Sequence, residues 1–180
     1  MRPFDLPGEA QSARFEAIVL PHLDGAYNLA RWLVRNGTDA EDLVQEACLR
    51  AWKGFAGFRG TDGRSWLLAI VRNTCYSWLR GNRRNELAVE FNEDLHSEGP
   101  AVPEPERLLA ESASREALEK ALEELPAEFR EAIVLRELEG LSYKEISDVA
   151  GVPVGTVMSR LARARARLQR CLAPPTPKEA

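Results

Sequence analysis

The stretch from Asn85 to Glu106 constrains this chain more than any other part of it. It holds seven acids (Glu86, Glu90, Glu93, Asp94, Glu98, Glu104, Glu106), no Lys or Arg, and Pro100, Pro103 and Pro105 in close succession. Proline has no amide donor and restricts the residue before it, so this cluster cannot continue a helix. A segment of one charge sign and low hydrophobicity cannot bury a core, and it reads as an extended linker. The chain therefore divides into a module at 10–84, a linker at 85–107, a second module at 108–173 and a frayed tail at 174–180.

Charge follows the same partition. Arg72, Arg80, Arg83 and Arg84 occupy a stretch without an acid, and so do Arg160, Arg163, Arg165, Arg167 and Arg170 near the other end. The formal net charge is −4, but setting aside the seven linker acids leaves +3 for the rest. The acidic total thus does not exclude a nucleic-acid partner, because the positive charge is concentrated. Cys48, Cys75 and Cys171 are far apart and form no CxxC, and His22 and His96 have no ligand-type neighbours. This argues against a disulfide framework or a structural zinc site. With no GxSxG, P-loop or HExxH present, no catalytic residue, metal or cofactor is assigned. No apolar run approaches the ~20 residues of a membrane span, and the N-terminal MRPFDLPGEA lacks a signal-peptide core. A cytoplasmic protein with no membrane insertion is expected.

Both modules read as all-α, since strand-type alternation is missing and Ala, Leu, Glu and Arg dominate. Phe15, Ile18, Val19, Leu23, Leu29, Leu33 and Val34 recur at helical spacing, with a kink or restart expected at Pro21. Asn36-Gly37 ends that segment, and Thr38–Glu41 reads as a capping box opening a helix from Asp39 to about Lys53. A loop follows with Gly54, Gly57, Gly60 and Gly63 around Phe55 and Phe58, then a helix from about Ser65 to Asn82. In the second module Pro126 sits in the first turn of a helix that stops before Gly140. Ser142–Glu145 is a second capping box, its short helix stops at Gly151, and a longer helix runs from near Pro153 to Leu172. Short helix, glycine turn and Arg-bearing helix make a helix-turn-helix.

On the last helix Val154, Val157, Leu161, Ala164, Leu168 and Leu172 form one apolar stripe. Arg160, Arg163, Arg167 and Arg170 fall on a second stripe, roughly 120° round at 100° per residue. A solvated basic face and a DNA-binding face both fit this pattern. With no acid in the helix to pair them, the arginines favour DNA. Thr156, Ser159, Arg160 and Arg163 lie toward the N-terminal end, which enters the major groove in such motifs.

Together these segments resemble bacterial RNA polymerase sigma factors of the extracytoplasmic function (ECF) type. Three stretches carry the resemblance: DAEDLVQEACLRAW from Asp39 to Trp52; Phe58-Arg-Gly with Ser65–Thr74 and Trp78–Arg80; and Leu125-Pro with the helix-turn-helix from Leu141 to Leu161. It implies two small helical domains and a protein that binds core RNA polymerase, reads promoter DNA and melts it. Asp42, Gln45 and Glu46, with Leu49 on the same face, match the core-polymerase contacts. Asn73 matches the position that holds a base flipped from the minus-ten element, an amide being able to donate and accept on one base edge. Phe58 or Trp66 would supply a stacking surface, with Ser77, Arg80, Arg83 and Arg84 on upstream bases and phosphates. Thr156, Ser159, Arg160, Arg163 and Arg167 would engage the minus-thirty-five element. Met158 stands where the family often carries Arg or Lys, and Ala162 where it has a larger side chain, which implies one polar contact fewer. The resemblance further implies an anti-sigma factor as partner. A stand-alone helix-turn-helix regulator is the other reading, but it leaves the Asp39–Trp52 and Ser65–Arg84 motifs unexplained. A nucleic-acid-processing enzyme would need a metal or nucleophile constellation.

Overall fold

The computed structural model describes residues 7–60, 62–86 and 106–172. Among them the chain forms helices and no strands, as the composition leads one to expect. The first module contains α1 (Pro7–Val19), a 3₁₀ turn at Leu20–His22, α2 (Leu23–Val34), α3 (Gly37–Gly54), a second 3₁₀ turn at Phe55–Gly57, and α4 (Gly63–Glu86). Pro21 lies in the first 3₁₀ turn, so it breaks α1 from α2 as its missing amide requires. Ala26, Leu29, Ala30 and Leu33 of α2 are buried against Leu43, Ala47 and Ala51 of α3 and Leu67, Leu68 and Val71 of α4. Small residues at the α2–α3 contact let the two helix axes approach closely.

The start of α3 differs from the sequence reading. Its cap is Asn36, not the Thr38 box: Asn36 has extended backbone, and its Oδ1 accepts from the Asp39 amide at 3.1 Å. Asn caps as well as Thr does, and here it stands three residues before a free amide. Arg35, just before it, closes α2 in the left-handed region at φ 61°. At α4, the Asp62 carboxylate accepts from the Ser65 amide at 3.0 Å.

The second module contains α5 (Glu106–Glu123), α6 (Ala127–Ile133), one π-helical turn at Val134–Leu138, α7 (Tyr143–Ala150) and α8 (Val154–Leu172). α4 runs on to Glu86 and α5 begins at Glu106, so helix takes both ends of the 85–107 segment, and residues 87–105 lie outside the described part. So does the expected tail at 174–180. The capping box of α7 is present in both halves: Glu145 N donates to Ser142 Oγ, and Ser142 N donates to Glu145 Oε2. Gly140 and Gly151 adopt φ of +67° and +65°, the left-handed conformation that ends a helix at little cost only in glycine. Leu135, Leu141, Ile146, Val157, Leu161 and Ala164 fill the core of the helix-turn-helix.

The two modules touch, and much of what joins them is polar. Arg64 and Arg72, two helical turns apart on α4, meet Glu139 and Glu131 respectively. Eight residues separate the partners on each side, ~12 Å of helix rise, and the pairing order makes α4 antiparallel to the α6 segment. Further along, buried Arg130 donates to the Trp32 carbonyl at 2.7 Å and the Leu125 carbonyl at 2.9 Å. Arg35 donates to the Glu123 carbonyl. Burial, and then neighbouring Arg35, hold the Arg130 guanidinium down at about 10.

Candidate functional site

Three surfaces carry the residues that the sequence singles out. On α3, Leu43 and Ala47 turn inward, and the stripe of Asp42, Gln45, Glu46 and Leu49 turns out. Leu49 is 62% exposed, an apolar side chain with nothing on it among the described residues. Glu46 pairs with Arg50 one turn on, but both are half exposed, so the pair holds neither side chain firmly. Trp52, on the same helix, is 40% exposed. It meets Phe15 of α1 edge-on at 5.1 Å and leaves the rest of its ring at the surface.

On α4 a polar stripe runs along the exposed face. Arg72 Nη1 donates to Asn73 Oδ1 at 3.2 Å, Ser77 Oγ donates to the Asn73 carbonyl at 2.8 Å, and Arg80 Nη2 donates to Ser77 Oγ at 3.1 Å. Asn73, Ser77 and Arg80 are thus brought together on one face; Arg83 and Arg84 continue the same helix, and their side chains lie outside the described part. The loop before α4 is held by an aromatic cluster. Phe55 is 1% exposed, with Phe15 at 5.2 Å, Phe58 at 6.0 Å and Trp66 at 6.1 Å between ring centroids. Phe58 stacks within this cluster, 4.5 Å from Trp66, and is only 7% exposed. Trp66, half-buried on the first turn of α4, is the ring with more open surface.

On α8 Ser159, Arg163 and Arg167 are exposed and Thr156 is half-buried. Ser159 Oγ donates to the Thr156 carbonyl at 2.9 Å, and the Arg167 guanidinium lies 5.2 Å from the Phe129 ring centre. Met158 and Val154 are exposed apolar side chains on the same N-terminal turns. The arginines are not all unpaired, as reading the helix alone implied. Arg165 bonds Glu137 at 2.7 Å, and Arg160 lies 3.6 Å from Glu131. Both acids come from the α6 segment, which no inspection of α8 by itself could supply.

The residue missed outright is Glu131. It is 1% exposed, with Arg72 Nε 2.5 Å from Oε1 and the Tyr76 hydroxyl donating to Oε2 at 3.3 Å. Burial pushes its pKa up, opposed by Arg72, Arg160 and the Tyr76 hydroxyl. Burial and this carboxylate raise the Tyr76 phenol in turn. A signal existed in the sequence: Arg130-Glu131 interrupts a run that continues Ala-Ile-Val-Leu, and charge inside such a run asks for a partner. Among the described residues no three His, Cys, Asp or Glu side chains group as metal ligands, and no helix is long and apolar enough to cross a membrane.

Comparison with known proteins agrees with this layout. The Sigma-70 region 2 family matches residues 18–85, and the Sigma-70 region 4 family matches residues 115–168. The ECF RNA polymerase sigma factor SigE of Mycolicibacterium smegmatis is 37% identical over 94% of this chain and 66% of its own length. The ECF RNA polymerase sigma-E factor of Escherichia coli is 37% identical over 84% of this chain and 82% of its own. Among solved structures, the sigma factor RpoE of Bartonella quintana, in complex with the anti-sigma factor NepR, aligns at a TM-score of 0.72. That alignment is 33% identical and covers 88% of this chain and 96% of RpoE. CnrH, in complex with the cytosolic domain of CnrY, aligns at 0.62 with 28% identity, over 89% of this chain and 88% of its own. With regions 2 and 4 in order on one helical chain, this protein belongs to the ECF sigma factors of RNA polymerase.

Proposed function

We propose that the three surfaces divide the work of a sigma factor as follows. The α3 face, with Asp42, Gln45, Glu46 and Leu49, docks on core RNA polymerase. Its exposed leucine among acids suits a partner helix with an apolar seam and basic flanks. The α4 face, with Asn73, Ser77, Arg80, Arg83 and Arg84, takes the melted minus-ten strand. Trp66 and Phe58 shape the pocket for an extruded base. Extrusion costs a few kcal/mol, and an amide bonding the base edge together with stacking offsets that cost. On α8, Thr156, Ser159, Arg160 and Arg163 read the minus-thirty-five duplex, and Arg167 holds phosphate.

The chain acts by binding and positioning, in the cytoplasm, without bond-making chemistry of its own. An anti-sigma partner covers these surfaces when the factor is off; the similar RpoE of Bartonella quintana is held in complex with such a protein, the anti-sigma factor NepR. The observation that carries the assignment is the segregation of surfaces: acids with an exposed leucine on α3, amide and arginines on α4 and α8. Paired variants test it. Asp42→Arg weakens capture by core polymerase at least tenfold and leaves helix content intact. Asn73→Ala keeps core capture and loses permanganate reactivity of the melted bases. Unchanged capture in the first, or normal reactivity in the second, removes that surface from the assignment.

A further inference from the structure

We propose that Met158, with Val154 one turn before it, reads thymine methyl groups, so that the minus-thirty-five element of this chain is chosen in part by apolar contact. The inference rests on the assignment of α8 to that element. Met158 is 54% exposed and Val154 39% exposed, and both lie beside Ser159 on the N-terminal turns of α8. A lone surface methionine needs no explanation. Here two large apolar side chains four positions apart share one face, and that face adjoins the residues assigned to base edges.

Helix geometry sets two kinds of readout on the two flanks of α8. Val157, Leu161 and Ala164 are buried and fix its inward side. Ser159 lies nearly opposite them. At 100° per residue, Met158 and Arg163 stand about 140° apart, one on each side of Ser159. On the Met158 flank the exposed residues from Val154 to Ala162 are Val154, Gly155, Met158 and Ala162, none with a side-chain hydrogen-bond donor. Arg165, the next cation on that flank, is taken by Glu137 at 2.7 Å. Thymine alone among the bases shows an apolar group in the major groove, its C5 methyl. Side chains that offer no donor gain from that methyl and little from any other base edge.

Reach and strength both suit the contact. Val154 and Met158 are ~6 Å apart along the axis at 1.5 Å per residue, close to two base-pair steps of ~3.4 Å. The pair therefore fits two adjacent thymines on the strand that faces this flank. Three rotatable bonds and a polarisable sulfur let Met158 settle on a methyl that a stiffer side chain would miss. Taking one methyl-sized group out of water is worth about fourfold in affinity, so two thymines together are favoured about fifteenfold.

The test uses the full chain with core RNA polymerase and a promoter library in which only the minus-thirty-five element is randomised, recovered as heparin-resistant complexes. Each selected thymine is then replaced by deoxyuridine, which pairs alike and lacks only the methyl. The expected result is thymine enriched at one or two adjacent positions, with complex formation about fourfold weaker for each methyl removed. In Met158→Ala the deoxyuridine penalty disappears, while Met158→Leu keeps most of it. Met158→Ala shortens an exposed side chain and raises helix propensity, so the variant folds, and far-UV circular dichroism checks that it does. Arg163→Ala weakens binding to the thymine and deoxyuridine duplexes alike, which separates methyl reading from the rest of the helix. An element without selected thymine, a natural chain indifferent to deoxyuridine, or a penalty that persists in Met158→Ala overturns the proposal. The two failures are distinguishable: a randomised element with no base preference at any position faults the assignment of α8 itself, whereas base preference with indifferent methyls removes only the role of Met158.

Discussion

Replacing Phe55 separates the packing account of the first module from a merely local loop contact. The ring is 1% exposed and is surrounded on several sides. Phe15 meets it edge-on at 5.2 Å, Phe58 stacks at 6.0 Å, Trp66 lies tilted at 6.1 Å, and the Arg14 guanidinium stands 5.2 Å from its centre. Phe55→Ala removes a buried aromatic side chain and leaves a cavity among rings that cannot all close in, so the cost is about 3–5 kcal/mol. At ~2–4 °C per kcal/mol for a chain of this size, the melting point of the chain should fall by about 6–20 °C. Phe55→Leu retains most of the burial and loses the ring–ring terms, about 0.5–1.5 kcal/mol for each well-placed pair. Two such pairs, with Phe15 and Phe58, put its cost at about 1–3 kcal/mol. Urea unfolding followed by tryptophan fluorescence measures both, because Trp66 and Trp52 lie in or beside the cluster. A loss below about 1 kcal/mol for Phe55→Ala, or equal losses for Ala and Leu, would refute the reasoning.

Two further predictions concern the second module and the thiols. Ser142→Ala removes the α7 cap and should cost about 1 kcal/mol in urea unfolding at neutral pH. The Ser142 hydrogen bonds hold the Glu145 pKa below its ordinary value, so their stabilisation is present above about pH 4.3 and fades as pH falls through the lowered value. The carboxylate half runs from the residue 142 amide to Glu145 Oε2 and survives in Ser142→Ala, so Glu145→Gln is the variant whose cost should shrink in acid, and a pH-independent cost there would deny the box its charged half. Burial pushes the Cys75 thiol up to about 12, and Cys171 is exposed. A thiol reagent at neutral pH should label Cys171 first and Cys75 only on unfolding; early labelling of Cys75 would mean that α4 does not pack as described.

Local signals in the sequence carried well into the structure, and non-local ones did not. The all-helical character was legible because helix propensity is written in adjacent residues. The Ser142 box and the Gly140 and Gly151 stops were legible for the same reason: a cap needs only its own three or four neighbours. The α3 start was misplaced by a competition at the same scale, since Asn36 and Thr38 both can cap and only backbone geometry selects one. Arg160 shows the other limit. Its helix contains no acid, yet Glu131, twenty-nine positions earlier, faces it once the helix-turn-helix folds. Arg72 lies fifty-nine positions from the same carboxylate, in the other module. No periodicity within one helix can report such a partner. Leu49 and Trp52 differ in a related way: both follow from α3 being a helix, but which one remains uncovered depends on where α1 packs.

Run-off transcription with purified core RNA polymerase tests the central claim most directly. The chain plus core should start transcripts at a discrete promoter that core alone ignores, with activity lost in Asn73→Ala and in Asp42→Arg. Transcripts that are the same with and without the chain, across a library of genomic fragments, would contradict the account.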